Sequence, residues 1–373
     1  MKKSRIILII CSCLFLCSCR DTKAEVQEKV KAENTDSAAS GIDFPLIYES
    51  AENPKITFNT KLYLNDQVDV NILNKCYAVQ QLVDKESVLE LLFKEKIKEE
   101  MIDYIEDDEG NKEDIYYYTG TNGGSITIGS GQIFLNTPFF DNISNCFDMY
   151  EDEYYNADQY SLDVDLPFMK YEDAISDIED TLSKIGLDVD LSYKCYALDY
   201  ETLQRNEVVY NHDGDKDVEA YKESWSEEDN CYYFVISQEY KHIPIYDPLA
   251  GIYKRAGDYI APIKVLYSKN GIEMLEINKV FKFEEDETQI ELVEFSDIAN
   301  TVEEKYGMLL TDPDYVVTDA TLYYMPQDLK NKKYNLIPVW IINVNEASSD
   351  SQNQNMNKSD QTVINAITAE EVP

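Results

Sequence analysis

Two stretches, "YEDAISDIEDTLSKIG" (residues 171–186) and "FSDIANTVEEKYG" (residues 295–307), decide how this chain folds. In the first, Tyr171, Ala174, Ile175, Ile178, Leu182 and Ile185 recur at three- and four-residue spacing, which lines one face of an α-helix. The second sets Phe295, Ile298, Ala299, Val302 and Tyr306 in nearly the same order. Tyr171 falls on Phe295 and Asp173 on Asp297, while Gly186 and Gly307 stand where a C′ glycine ends a helix. The chain therefore carries two variants of one helix.

Each helix is followed by strand-like sequence, "LSYKCYALDYE" from Leu191 and "YVVTDATLYYMP" from Tyr315. Each half then contains a Tyr-x-x-Ile-Pro-aliphatic-aromatic segment, Tyr240 to Tyr246 and Tyr334 to Trp340. Proline has no N–H to give to a ladder, so both segments are expected at a strand edge or end. Closing strands, "IKVLYSKNGIEMLEIN" from Ile263 and "TVINAITAEEV" from Thr362, complete two units, 166–290 and 291–373. The first unit is the longer because of an insertion, "NEVVYNHDGDKDVEAYKESWSEED", at 206–229.

Upstream, residues 44–165 read as an α+β domain of their own. "ITFNTKLYLN" alternates Ile56, Phe58, Thr60 and Leu62 on one side, as a half-buried strand does. "KESVLELLFKEKIKEEM" (85–101) shifts to the helical period, with Leu89, Phe93, Ile97 and Met101 on one face beside Leu92, and with Asp84 as N-cap. In "IYYYTGTNGGSITIGSGQIFLNT" (115–137) the turn signals separate three short strands into a meander. The predicted fold class is α+β, with mostly antiparallel sheets each packed by a single helix.

The chain opens "MKKSRIILIICSCLFLCSC" (1–19). Lys2, Lys3 and Arg5 precede an apolar run from Ile6 to Cys17, the pattern of a secretory signal. That run is shorter than the ~20 residues a membrane-spanning helix needs. The junction Leu16-Cys17-Ser18-Cys19 resembles the lipobox of bacterial lipoproteins, with an aliphatic residue three before the cysteine and a small one just before it. The resemblance implies that 1–18 are removed and that Cys19 carries a diacylglycerol thioether, which places the mature chain on the outer face of the cytoplasmic membrane. Two acyl chains suffice for stable anchoring. Residues 19–43 lack aromatic side chains and read as a tether with a span of roughly 25–30 Å.

The chain holds 72 acidic and 33 basic residues. Without Lys2, Lys3 and Arg5 the basic count is 30, giving a formal charge of −42. Nucleic-acid binding needs a basic face and is excluded on this ground. A cationic partner, divalent ions, or solubility outside the cell fit the charge.

Candidate sites are few. Cys76, Cys146, Cys195 and Cys231 are scattered without a C-x-x-C pair. Cys195 and Cys231 both sit in tyrosine-rich, strand-like runs, so a disulfide between adjacent strands is one expectation; four reduced thiols is the other. In "HDGDKDVE" (212–219), Asp213, Asp215, Asp217 and Glu219 occupy alternate positions, a spacing that suits an oxygen-ligated calcium, or else a solvated Asp-Gly turn. The only histidines are His212 and His242, and the chain has no H-E-x-x-H and no G-x-S-x-G. A carboxylate pair of the glycosidase kind is not distinguishable among so many acids.

The helix, its strand, the Ile337-Pro338-Val339-Trp340 segment and the closing Val363-Ile364-Asn365-Ala366-Ile367-Thr368 resemble the PepSY and YycI-like extracytoplasmic modules of Gram-positive bacteria. The resemblance covers roughly residues 168–373. That family's last strand usually ends Asn-Ala-Ile-Asp-Gly, where this chain has Asn365-Ala366-Ile367-Thr368-Ala369. What it implies is a small α+β fold with a regulatory or binding role near the membrane, no catalytic residues, and a membrane-protein partner such as a sensor kinase, transporter or protease. The function expected from sequence is a lipid-anchored, non-enzymatic regulatory protein. The alternatives are a solute-binding lipoprotein of a transporter and a cell-wall hydrolase.

Overall fold

Periodicity and turn chemistry place most elements where they stand in the computed structural model, which describes residues 45–106, 110–129, 131–149, 155–188, 191–246, 261–309, 314–347 and 359–372. The signal segment, Cys19 and the tether lie outside the described residues. In chain order the strands and helices are β1 (Ile47–Ser50), β2 (Ile56–Tyr63), β3 (Asn74–Gln80), α1 (Lys85–Leu92), β4 (Ile97–Glu106), β5 (Lys112–Gly120), β6 (Ser125–Gly129), β7 (Gln132–Asn136) and α2 (Pro138–Ile143). Then follow β8 (Ser161–Leu162), α3 (Tyr171–Lys184), β9 (Leu191–Leu198), α4 (Tyr200–Asn206), β10 (Cys231–Tyr240), β11 (Ile243–Pro244), β12 (Ile263–Ser268) and β13 (Gly271–Ile277). Last come β14 (Phe281–Gln289), α5 (Phe295–Gly307), β15 (Tyr315–Asp328), β16 (Lys333–Glu346) and β17 (Ser359–Asn365). The fold is α+β.

The strands form two sheets. One runs β1-β2-β15-β16-β3-β14, with β17 also on β16; the other runs β4-β5-β6-β7-β13-β12-β10-β9-β8, with β11 on β10. Among these pairings β2–β15 is parallel and the rest are antiparallel. Each long helix packs one sheet, as its apolar face requires. Helix α5 buries Phe295, Ile298, Ala299, Val302 and Tyr306 on the first sheet, where Phe295 meets Trp340 edge-on at 5.2 Å. Helix α3 buries Ala174, Ile175, Ile178 and Leu182 on the second, against Ile133, Leu135, Phe234 and Val265. Each fully buried large side chain contributes roughly 1.5–3 kcal/mol.

The expected division into a domain 44–165 and units 166–290 and 291–373 is corrected by the pairing. Strands β1, β2 and β3 belong to the sheet that α5 packs, whereas β4 to β7 extend the sheet that α3 packs. The upstream block is split between both sheets, and Gly41–Pro373 form one compact unit. Local periodicity sets each strand but says nothing of its distant partner.

The two Ile-Pro segments are also not equivalent. Tyr240 to Tyr246 spans a tight turn and the two-residue β11, while Tyr334 to Trp340 runs through β16, a central strand. Pro338 is tolerated there because one flank of β16 is shared. Strand β3 pairs with Lys333–Leu336 and β17 with Val339–Asn345, so the missing N–H falls in the gap between them. Trp340 is core. Gly186 ends α3 with φ +96, as expected, but α5 runs through Gly307, where a Cβ would lie 2.4 Å from the Asn53 amide.

Candidate functional site

The expected calcium loop is a set of backbone turns. Asn211 Oδ1 accepts the N–H groups of Asp213 (3.0 Å) and Asp215 (2.9 Å), and Asp217 accepts from Glu219 N at the start of a short 3₁₀ turn. The carboxylates of Asp213, Asp215, Asp217 and Glu219 do not converge, and among the described residues no group of three or more His, Cys, Asp or Glu is placed to hold a metal. This expectation is corrected: the alternate acids follow turn chemistry.

The Cys195–Cys231 disulfide is corrected too. Cys231 lies across from Leu198, and Cys195 across from Phe234, three steps along the same pair of strands. The period of two sends them to opposite faces of the sheet, Cys195 toward α3 and Cys231 toward Trp225 and Leu203. All four cysteines are free and buried. Burial pushes the Cys76 thiol up to about 11 and that of Cys146 up to about 12, and raises Cys195 and Cys231 as well. None is a thiolate at neutral pH.

What sequence reading missed is β4. Residues 97–101 were expected to continue the helix that Asp84 caps. Asp84 does cap it, accepting from Ser87 N at 2.8 Å, but α1 stops at Leu92 and the chain turns into an extended ribbon. Glu95 fixes the turn. Its carboxylate accepts Asn122 N (2.7 Å) and Gly124 N (3.0 Å) from the β5–β6 hairpin, which anchors the start of β4. Space for it exists because Gly120 has no side chain; a Cβ there would sit 2.2 Å from Glu95 Oε2. No local signal marks this stretch as a strand: Met101, Ile102, Tyr104 and Ile105 stand at i, i+1, i+3 and i+4, a spacing that one helix face also accommodates.

Strand β4 ends the ten-stranded sheet, pairing among the described residues with β5 alone, and all ten of its residues are exposed. Large apolar side chains concentrate there: Ile97 43%, Met101 58%, Ile102 58%, Tyr104 50% and Ile105 46% exposed. Ile102 lies across from Tyr116, Met101 across from Tyr117, and Asp103 across from Ile115, so both faces of the ribbon present mixed aromatic and aliphatic surface. Lys98 is the single cation on β4, against Glu99, Glu100, Asp103 and Glu106. An open, ten-residue edge of this kind is a template for another strand.

A second concavity lies where the two sheets meet. A cleft of about 460 Å³ is lined by Tyr63, Asn65, Asp66, Glu239, His242 and Thr321 among others. His242 sits in the β10–β11 turn at φ +64, after Lys241 at φ +50, which puts it at the cleft rather than within a strand. Beside it Lys241 Nζ pairs with Glu285 (2.5 Å), which also accepts from Asn74 (2.8 Å). This salt bridge holds the turn against β14.

No known family profile matches the chain, and no curated protein matches it in sequence. Among solved structures, an uncharacterised protein from Eubacterium rectale superposes with a TM-score of 0.58 at 18% identity, covering 88% of this chain and 94% of its own. The two share a fold. The C-terminal domain of Bacillus megaterium YpeB gives a TM-score of 0.26 at 9% identity over 78% of this chain and 96% of its own, a likeness too distant to transfer fold or role.

Proposed function

We propose that this protein is a lipid-anchored, extracytoplasmic binding protein without catalytic activity that modulates a membrane protein by docking it along β4. The observation that carries this reading is the edge itself, ten exposed residues with one pairing partner and five large apolar side chains in water. Main-chain groups of such an edge bind an extended segment, and alternate side chains select it. The Cys19 anchor and short tether read from the sequence support it further, because they keep the ribbon near the bilayer and raise its effective concentration toward a membrane partner. The PepSY and YycI-like resemblance of residues 168–373 fits a regulatory role there. A formal charge of −42 after signal removal favours a basic surface on the partner.

The test is photo-cross-linking in intact membranes from a probe at Ile102, with a second probe at Val218, which is also exposed, as control. One membrane-protein adduct is expected from Ile102, none from Val218, and about tenfold less after Cys19→Ala. Identical adducts from both probes, or none from Ile102, sink the reading. The cleft at His242 favours one alternative, a solute-binding lipoprotein serving a transporter. The described residues form no doubly wound α/β lobes of the kind usual for that class, since their sheets are antiparallel apart from β2–β15. A thermal-shift screen of sugars and peptides, with His242→Ala as control, separates the two.

A further inference from the structure

We infer that the occupant of the β4 edge is a cationic extended segment, in which basic residues alternate with pairs of apolar ones. The inference rests on the docking role proposed above and names the chemistry of what docks. Along β4 the side chains run Glu99-Glu100, Met101-Ile102, Asp103, Tyr104-Ile105, Glu106, so acids and apolar doublets take turns. A half-buried strand would alternate every second residue, because one face is dry and one is wet. Here both faces are exposed, and the repeat is closer to three. Each face therefore carries a carboxylate beside an apolar side chain: Glu100, Ile102 and Tyr104 on one, Met101, Asp103 and Ile105 on the other.

An added strand places its residues about 4.5–5.5 Å from these, close enough for each pair to count. Opposite charges across the ladder stabilise it, and like charges destabilise it. A second copy of β4 is a poor occupant for that reason. Self-pairing centred between Met101 and Ile102 sets Glu100 against Asp103 on both sides of the dyad, and doubles the acidic excess on one ribbon. Neighbouring residues add to the same field: Asp114 lies across from Tyr104, and Glu113 across from Ile105. Of the nearby cations, Lys112 is engaged, lying over the Tyr104 ring at 3.8 Å and 3.5 Å from Glu106, and Lys332 is paired with Glu113. The surplus on the edge is negative, and a partner strand must bring the positive charge.

The probe that meets this pattern is the blocked octapeptide KVVKVVKK, which sets a lysine opposite each acid from Glu106 back to Glu99 in an antiparallel ladder. Its control is EVVEVVEE, with the same apolar residues and inverted charge. Amide hydrogen exchange of the Ile97–Glu106 stretch is measured in the full chain with each peptide at saturation. The lysine peptide is expected to slow exchange in β4 by about tenfold or more, and the glutamate peptide to leave it unchanged. In the triple variant Glu99→Lys, Glu100→Lys, Asp103→Lys, whose sites are all exposed, the preference is expected to invert. Three results overturn the inference: β4 exchange unmoved by KVVKVVKK, equal protection by both peptides, or protection without peptide that grows with protein concentration, which marks a second copy as occupant. Any of these can coexist with a clean Ile102 adduct in membranes, in which case the docking role stands and only the cationic occupant falls.

Discussion

The side-chain amide of Gln238 closes a two-bond ring on the backbone of Phe281. Nε2 donates to the Phe281 carbonyl at 2.9 Å, and Oε1 accepts the Phe281 N–H at 2.7 Å. Gln238 belongs to β10 and Phe281 to β14, so one buried side chain joins the two sheets as a short piece of strand would. Gln81 reinforces the joint, donating to the same carbonyl at 3.0 Å and to Asp188 O at 2.7 Å. Both backbone groups of Phe281 are met where no strand reaches them.

Gln238→Leu is expected to cost about 1–3 kcal/mol in urea unfolding, because a buried N–H loses its acceptor. Gln238→Glu gives a sharper result. Its carboxylate accepts from Phe281 N but cannot donate to Phe281 O unless protonated. Burial raises the pKa of the new carboxyl, so its folded form prefers the proton. Relative to the parent at the same pH, this variant should be least impaired near pH 4 and lose stability as pH rises through the raised value. A flat difference between pH 4 and 7 rules the argument out.

Tyr232 is a second single-atom anchor. Its hydroxyl accepts Leu166 N at 2.5 Å and donates to Met169 O at 2.6 Å, which fixes the chain entering α3. Tyr232→Phe keeps the ring and removes both bonds. The expected loss is about 1–3 kcal/mol in chemical denaturation, with the apolar packing unchanged. A loss below about 0.5 kcal/mol means the segment finds other partners.

How much of this was legible follows from the range of each interaction. The faces of α3 and α5, the alternation of Ile56 to Leu62 and the "TNGG" turn are set by neighbours within a few residues, and the sequence shows them. Strand β2 pairs on one side with the nearby β1, but on the other with β15, more than 250 positions away, and no local pattern encodes that pairing. Strand β4 was lost for a different reason. Leu89, Phe93, Ile97 and Met101 do fall at helical spacing, but the register was chance, and Glu95 reaching the β5–β6 turn ends the helix instead. Asp217 looked like a ligand because caps and cation sites use the same residue types.

The split of the upstream block gives a direct test. A fragment of residues 166–373 keeps both helices, yet it strips β2 from β15, β3 from β16 and β14, and β7 from β13. Each loss bares a long apolar edge. The fragment is expected to aggregate or to give a collapsed amide NMR spectrum, whereas residues 41–373 give a dispersed one. A dispersed spectrum from the fragment restores the tandem-unit reading.

The four buried thiols report unfolding without labels of other kinds. In a preparation starting at Arg20, a disulfide reagent at pH 8 is expected to leave Cys76, Cys146, Cys195 and Cys231 untouched until urea is added, then to titrate all four. The pH dependence has a fixed sign. Folded thiols at about 11 and about 12 stand above the unfolded value of about 8.5, so the unfolded state loses protons first. Their contribution is complete below about pH 8.5 and is lost as pH rises toward the folded values. Tyr232, raised to about 12 by burial, adds to the loss above pH 10. Stability that climbs between pH 9 and 11 contradicts this.

The last prediction ties the ribbon's rigidity to its role. Glu95 pins the start of β4 to the neighbouring hairpin through Asn122 N and Gly124 N, with Thr121 N donating to Lys96 O beside it at 3.0 Å. In Gly120→Ala the new methyl group would lie 2.2 Å from Oε2 and 2.8 Å from the Glu95 Cβ, so rotating the carboxylate alone does not relieve the clash. Glu95 must leave, and two backbone donors lose their acceptor. Glu95→Gln is milder, since one oxygen still accepts while the amide group faces an N–H. Because every residue of β4 is exposed, little core is lost, and global unfolding should shift by less than about 1 kcal/mol. Local opening behaves differently. Exchange across Ile97–Glu106 should quicken about tenfold in Gly120→Ala and less in Glu95→Gln, with β10 and β12 unchanged. An added strand needs a straight, ordered template, so the Ile102 adduct should weaken in the same order as the exchange rates rise. Equal exchange in all three proteins would show that Glu95 does not hold the ribbon; faster exchange with an undiminished adduct would show that the partner does not need β4 ordered beforehand.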